Sequence, residues 1–342
     1  MRGWVAAARV VACAVIALPC AVQAQELQIK VHHFLPASGV IQQKVIGPWC
    51  DRLAKETAGK VKCSIAPEMS LGGQPPDLLD QARRGVVDVA YTAIGFTPGR
   101  FPRLEAFELP FAATGAEATS RALWEFARGP GADDTKDVQL LAVHAQGPGV
   151  LHNNRKPVAT AADFKGMRLR APNRLVRDTL AALGAQSVGM PASQATDAIA
   201  QGMLDGTLLP YGSLGEAGGV SATKFHSETG PRDRAIYTSV YVLVMNRKTF
   251  DKLPASTRKI IEEASGAPLS LAAGKAMAEA DAAVRRSAPK GSVNVIAPAE
   301  VAAMRKLAQP AVEAWIKEMT RGGLDGKALV EVSQKLVARH TK

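Results

Sequence analysis

Residues 164–173 read FKGMRLRAPN. Met167–Ala171 is a short, mostly apolar run that carries Arg168 and Arg170 and stops at Pro172, which predicts a strand. Asn173 then stands as the N-cap of a helix, Asn173–Leu183, closed by Gly184. The pleat points Arg168 and Arg170 to the same side, with Arg170 about 6–7 Å nearer the strand's end. A guanidinium beside a helix N-terminus suits an anion: it offers a planar fork that matches a carboxylate, and the helix end adds positive potential. The bland alternative is an arginine whose stem covers apolar surface. The bland role is assigned to Arg168; at Arg170 the residues alone leave both roles open.

The surrounding chain supplies the setting. LQIKVHHF (27–34), VKCSIAP (61–67) and VVDVAYTA (86–93) read as strands, separated by an amphipathic helix, Gln42–Ala58, and by a helix from Pro75 to Gly85. Strand, helix, strand, helix, strand is a βαβ series. The theme restarts with strands at 138–145, 150–154 and 167–171, a short helix at 193–202 and a strand at 204–210. AIYTSVYVLVMN (235–246) reads as one long strand. Ser256–Arg286 is mostly helix and long enough to touch both halves; VNVIAP (293–298) and two amphipathic helices follow. The fold class expected is α/β, two lobes joined by more than one crossing, with a cleft between them and a long helix spanning both. Ligands of open α/β sheets sit beyond the carboxyl ends of the strands, which is where Arg170 falls.

The N-terminus reads as a secretory signal: Arg2 and Arg9, an apolar run Val10–Leu18, and small residues ending at Ala24, with cleavage expected there. Pro19 before Cys20 fits a lipidation site poorly. The remaining 318 residues carry 40 basic and 31 acidic side chains, a net charge of +9. The basic residues are scattered rather than in runs, so no nucleic-acid partner is expected. Cys50 lies late in a helix and Cys63 in the next strand, and the sequence leaves open whether they are bridged in an oxidising compartment. No metal-spaced Cys/His set, P-loop, HExxH or GxGxxG is present, so neither metal nor cofactor is expected. GSLG at 212–215 lacks the first half of a nucleophile elbow, because position 211 is Tyr.

DFKGMRLRAPN (163–173), ALGAQSVGMP (182–191) and GMLDGTLLP (202–210), with LGGQ (71–74) and PGRFPRLEAFELPF (98–111), resemble the DctP-type solute-binding proteins of TRAP transporters, and in this order and spacing the likeness covers nearly the whole mature chain. The resemblance implies a periplasmic two-lobed clamp that delivers a small carboxylate to membrane permease subunits, without chemistry of its own and as a monomer. It implies lobes of 25–147 with 236–275 and of 148–235 with 276–342, after a signal peptide at 1–24. The family's ligand-holding arginine falls on Arg170, and Asn173 on a position that supports the same carboxylate. A periplasmic sensor or a carboxylate-handling hydrolase stands as the alternative.

Departures from the sugar-acid-binding members carry the ligand reading. Leu209 stands where they have Asn, GVLHN (149–153) lacks their second arginine, and Ala93, Ile94 and Phe96 replace charged residues. A buried site without polar partners penalises hydroxyls. The expected ligand is a monocarboxylate on an apolar or aromatic body; a small compact pocket closed by the same side chains is the competing reading. His33 and His152, at strand ends, are assigned to the pocket as neutral donors, with Phe96, Leu209 and Tyr211 lining it. Tyr237 and Tyr241 fit either the cleft or plain packing. His32 and His33 are not expected to share a metal, since they point to opposite faces.

Overall fold

The computed structural model describes residues 26–231 and 233–341, so the signal-peptide and Cys20 expectations lie outside the described residues. Strands β1 (Leu27–His33), β2 (Val61–Ala66), β3 (Val89–Ala93) and β4 (Val138–Ala145) belong to a first sheet. Strands β5 (Val150–Asn153), β6 (Arg168–Ala171), β7 (Gln186–Gly189), β8 (Gly206–Leu209) and β9 (Phe225–Thr229) form a second. The chain then returns: β10 (Val240–Asn246) enters the first sheet and β11 (Val293–Ile296) the second. The orders are β2-β1-β3-β10-β4 and β11-β9-β5-β8-β6-β7. Each sheet is parallel except for one inserted antiparallel strand, β10 in the first and β5 in the second. This is the expected two-lobed α/β architecture.

Burial explains which runs became which strands. β3 lies inside its sheet and is buried at every residue, so it shows no alternation. β7 is an edge strand, exposed at three of four residues, and its polar composition hid it from the sequence reading. Residues 235–239 were expected to extend β10; instead they form one of two adjacent crossings between the lobes. The other is 146–149, and the two pair with each other: Gln146 N donates to Ser239 O (3.0 Å) and Gly149 N to Tyr237 O (2.9 Å). A Cβ at Gly149 would overlap the Tyr237 ring, so the crossings approach closely only because position 149 has none.

The predicted long helix is two. Helix Ala255–Ala264 ends before Gly266, whose φ of 78° is left-handed, and Ala267–Ser287 starts afresh with Pro268 in its first turn. The second helix packs Leu269, Ala273 and Met277 against the first lobe's core and then runs beside the short helix Tyr211–Glu216 of the second. Helix Pro298–Arg321 also spans both: Val301 and Met304 lie in the second core, Trp315 and Met319 in the first. The last helix, Gly326–His340, was expected with the second lobe. It packs Leu329, Leu336 and Val337 into the first lobe's core beside Leu123 and Phe126, and Arg339 pairs with Glu125 at 2.6 Å. Its apolar stripe is matched by helix Ala116–Ala127, which the sequence reading passed over. Cys50 and Cys63 are joined, settling the question left open, and the bridge ties the first long helix to β2.

Candidate functional site

Arg170 is the third residue of β6, and its side chain is almost wholly buried, 5% exposed. Its Nε donates to Met190 O at 2.9 Å. Its Nη1 is buried without a partner, and no carboxylate pairs with it among the described residues. Burial lowers its pKa, because the charge has lost water. Such a cation is costly unless an anion or strong acceptors replace the water. Arg168, two residues earlier, is half exposed; its guanidinium donates to Gly202 O (2.8 Å) and lies 3.6 Å from Asp205.

Beside Arg170 runs a directed chain of hydrogen bonds at the lobe crossings. Tyr241 Oη donates to Gln146 Oε1 (3.1 Å), Gln146 Nε2 donates to Tyr237 Oη (3.2 Å), and Tyr237 Oη donates to Leu208 O (3.0 Å). The chain crosses from β10 of the first lobe to β8 of the second. Burial raises the pKa of both tyrosines and the Arg170 charge opposes that rise, so the three groups share one poorly solvated space.

On the first lobe, four rings cluster across adjacent strands, and Tyr91 and Tyr241 each lie within 6.3 Å of both Phe34 and His144. Phe34 and Tyr91 have centroids 6.1 Å apart, Tyr91 and Tyr241 5.5 Å, and Tyr241 and His144 5.5 Å, with planes within 18° of one another. The cluster follows from pairing: Tyr241 is opposite His144 across β10 and β4, and all four lie towards one end of the sheet. Tyr91 Oη donates to His144 Nε2 at 3.0 Å. Phe96 meets Phe34 edge to face at 5.1 Å.

Polar contacts bind the lobes across the cleft. Asn173 caps its helix through Oδ1, which accepts from Val176 N (3.0 Å), while its Nδ2 donates to Glu108 Oε2 of the first lobe (2.9 Å). Glu108 Oε1 accepts from Val240 N at 2.7 Å. Burial pushes the Glu108 carboxyl up to about 8, against the Val240 amide and with the nearby Glu105 charge. Gly95 lies against this pair: a Cβ there would be 3.0 Å from Asn173 Cβ. The remaining cavity between Gly95, Glu105, Glu108, Asn173 and Arg174 is about 10 Å³, roughly one water. Elsewhere Glu216 of the second lobe accepts from Val40 N, in the first turn of a first-lobe helix, at 2.8 Å.

Among the residues singled out from sequence, Arg170 shares surroundings with Tyr237 and Tyr241, and Asn173 and Phe96 lie at the same junction of lobes. His152 requires a correction. Its Nε2 donates to Leu209 O (3.0 Å), so its Nδ1 is the acceptor for His226 Nδ1–H (2.8 Å). Both ring nitrogens are engaged and burial lowers its pKa to about 3, so it offers nothing to a ligand. Leu209 ends β8, buried, and Tyr211 packs edge to face on His152 (5.2 Å) with its hydroxyl buried and unpartnered. That places Tyr211 with the histidine pair rather than with Arg170. His33 Nε2 donates to Gln42 Oε1 (2.8 Å) and its buried Nδ1 has no partner. His32 points to the other face, where its Nδ1 lies 2.7 Å from Gln81 Oε1. Sequence reasoning missed Gln146, Glu108, Phe34 and Tyr91.

A family model described as bacterial extracellular solute-binding protein, family 7, matches residues 31–318. A solved TRAP solute-binding protein from Rhodoferax ferrireducens, in complex with copurified benzoate, is 40% identical with a TM-score of 0.87, covering 92% of this chain and 98% of its own. A marine metagenome TRAP solute-binding protein, specific for aromatic acid ligands and solved with metahydroxyphenylacetate, is 36% identical with a TM-score of 0.89, covering 93% and 100%. A Comamonas testosteroni relative named outer membrane transporter protein TsaT is 27% identical over 93% of this chain and 94% of its own length. With the two-lobed fold and a family model matched over residues 31–318, the chain belongs to family 7 of the bacterial extracellular solute-binding proteins.

Proposed function

We propose that this protein captures an aromatic monocarboxylate in the periplasm, as a monomer, and hands it to TRAP permease subunits without altering it. The observation that carries the reading is Arg170: a buried guanidinium whose Nη1 has no partner, and which no carboxylate pairs with, among the described residues. A ligand carboxylate supplies the missing charge in a bidentate pair. The clustered rings of Phe34, Tyr91 and Tyr241, with Phe96 edge-on to Phe34, offer the ligand's body an aromatic surface; such contacts add about 0.5–1.5 kcal/mol beyond area burial. Sugar acids would bring several hydroxyls into a space where Tyr241, Gln146 and Tyr237 already satisfy one another. The solved neighbours that hold benzoate and hydroxyphenylacetate support the same class.

The test is calorimetric titration with benzoate, 3-hydroxybenzoate, hydroxyphenylacetate, an aliphatic monocarboxylate and glucuronate, followed by mass spectrometry of the recovered ligand. An aromatic acid binds most tightly and is recovered unchanged. Tightest binding of glucuronate would overturn the ligand class, and recovery of a reaction product would overturn the binding role.

A further inference from the structure

Besides the hydrogen-bond chain through Gln146, polar contacts of Glu216, Arg174 and Glu108 cross between the lobes near the cleft, and they differ in what they are worth. Glu216 to Val40 N is good in length but exposed, and solvent screens it. Arg174 pairs with Glu318 at 2.8 Å, but both side chains are partly exposed and solvent screens them; its contact to Glu105 is 3.5 Å, long for a hydrogen bond, and Glu105 Oε2 is already bonded to Trp315 Nε1 at 3.0 Å. Glu108 to Asn173 is short, and its acceptor is 2% exposed. It also has the better anchorage on both sides. The Val240 amide fixes the Glu108 carboxyl, and the helix cap fixes the Asn173 amide, so neither group must be ordered to make the bond. A Cβ at Gly95 would crowd the pair, 3.0 Å from Asn173 and 3.3 Å from Glu108 Oε2.

We propose that Glu108 is the positioning residue that holds the cleft shut over its ligand, acting through Asn173. Asn173 follows Pro172 directly after the strand that carries Arg170. Holding Asn173 against the first lobe therefore fixes the end of β6, and with it Arg170, relative to the ring cluster. Opening the lobes breaks this bond, while the Glu108–Val240 and Asn173–Val176 bonds, each within one lobe, survive. The inference rests on the carboxylate-binding reading: Glu108 sets how long the ligand stays and need not touch it.

The decisive variant is Asn173→Ser. Serine caps helices as well as asparagine does, so the helix keeps its cap while the donor to Glu108 is lost. Glu108→Gln removes one of the two acceptors from the other side. Benzoate dissociation is followed by stopped-flow fluorescence for wild type, both single variants and the double variant, and ligand-free proteins are compared by thermal melting and small-angle scattering. Losing a hydrogen bond to a buried carboxyl is expected to raise the dissociation rate about ten-fold or more. The double variant should dissociate no faster than the faster single variant, since both remove one bond. Asn173→Ser should melt within a few degrees of wild type and scatter as a wider molecule. An unchanged dissociation rate in Asn173→Ser overturns the proposal, as do losses that multiply in the double variant, which would mean that Asn173 contacts the ligand independently. If wild type binds no aromatic carboxylate the functional reading fails, and the scattering of ligand-free Asn173→Ser decides the clasp: wider supports it, unchanged overturns it.

Discussion

Arg168 and Arg170 leave one strand two residues apart and meet opposite fates: the first is half exposed and paired with Asp205 and Gly202 O, the second is buried with Nη1 free. Arg170→Ala should therefore cost about 2–5 kcal/mol of binding free energy, since the ligand carboxylate is left desolvated and alone. Arg170→Lys should lose a large part of that, because a point charge does not reproduce the planar fork. Arg168→Ala should leave affinity within a few-fold. Calorimetric titration with benzoate compares the three, and equal losses at 168 and 170 would mean the carboxylate sits elsewhere.

His152 should matter to stability and not to binding. Its imidazole bridges His226 and the Leu209 carbonyl in a fully buried position. His152→Phe strands both partners, at about 1–3 kcal/mol for each buried group left unsatisfied. Urea unfolding should show the loss, while benzoate affinity measured well below the melting point stays within two- to three-fold.

Stability should be level in mild acid and fall towards alkaline pH. Burial raises Glu108 from 4.5 to about 8 and Asp281 from 3.8 to about 7, so the fold favours their neutral forms. Their contribution is full below the unfolded pKa values and is lost as pH rises through 7–8. Burial lowers His144 and His152 from 6.5 to about 4 and about 3, so their contribution is full above 6.5 and is lost as pH falls. Between about 4 and 6.5 the two pairs oppose each other; above 6.5 only the carboxyls act. Melting temperatures of the ligand-free protein from pH 6 to 8.5 should decline, and Asp281→Asn should flatten the decline. A rise over that range would contradict the assignment.

Removing the Cys50–Cys63 bridge should destabilise the first lobe. The bridge closes a short loop, 13 residues in separation, and a loop of this size is worth about 3 kcal/mol by constraining the unfolded chain. Cys50→Ser with Cys63→Ser should lower the urea midpoint and leave benzoate affinity nearly unchanged.

How much of this was legible in the sequence depends on whether local chemistry or tertiary placement decided each element. The β6 segment was legible because Pro172 and Asn173 punctuate it, and Gly85 and Gly184 marked their helix ends through left-handed φ values of 76° and 86°. Residues 235–239 are as β-prone as β10 itself; only their pairing with residues 146 and 149 makes them a crossing. The site divides in the same way. Arg170 stood out by its position at a strand end. Glu108 did not, although FELPF sets one acid among apolar neighbours, the pattern of a buried carboxyl. The ring cluster was invisible for another reason: Phe34, Tyr91, Tyr241 and His144 are distant in sequence and are brought together only by strand order. His152 misled because a strand-end position predicts direction, and direction does not reveal that His226 waits on the neighbouring strand.

β10 lies between β3 and β4, yet it is made nearly a hundred residues after β4. A fragment ending after residue 147 would therefore carry two unsatisfied strand edges facing an empty slot, a template for aggregation. Neither half can be cut out by a single truncation. A split protein would need its break placed on the C-terminal side of residue 246, so that the first fragment already holds the strand that completes its sheet.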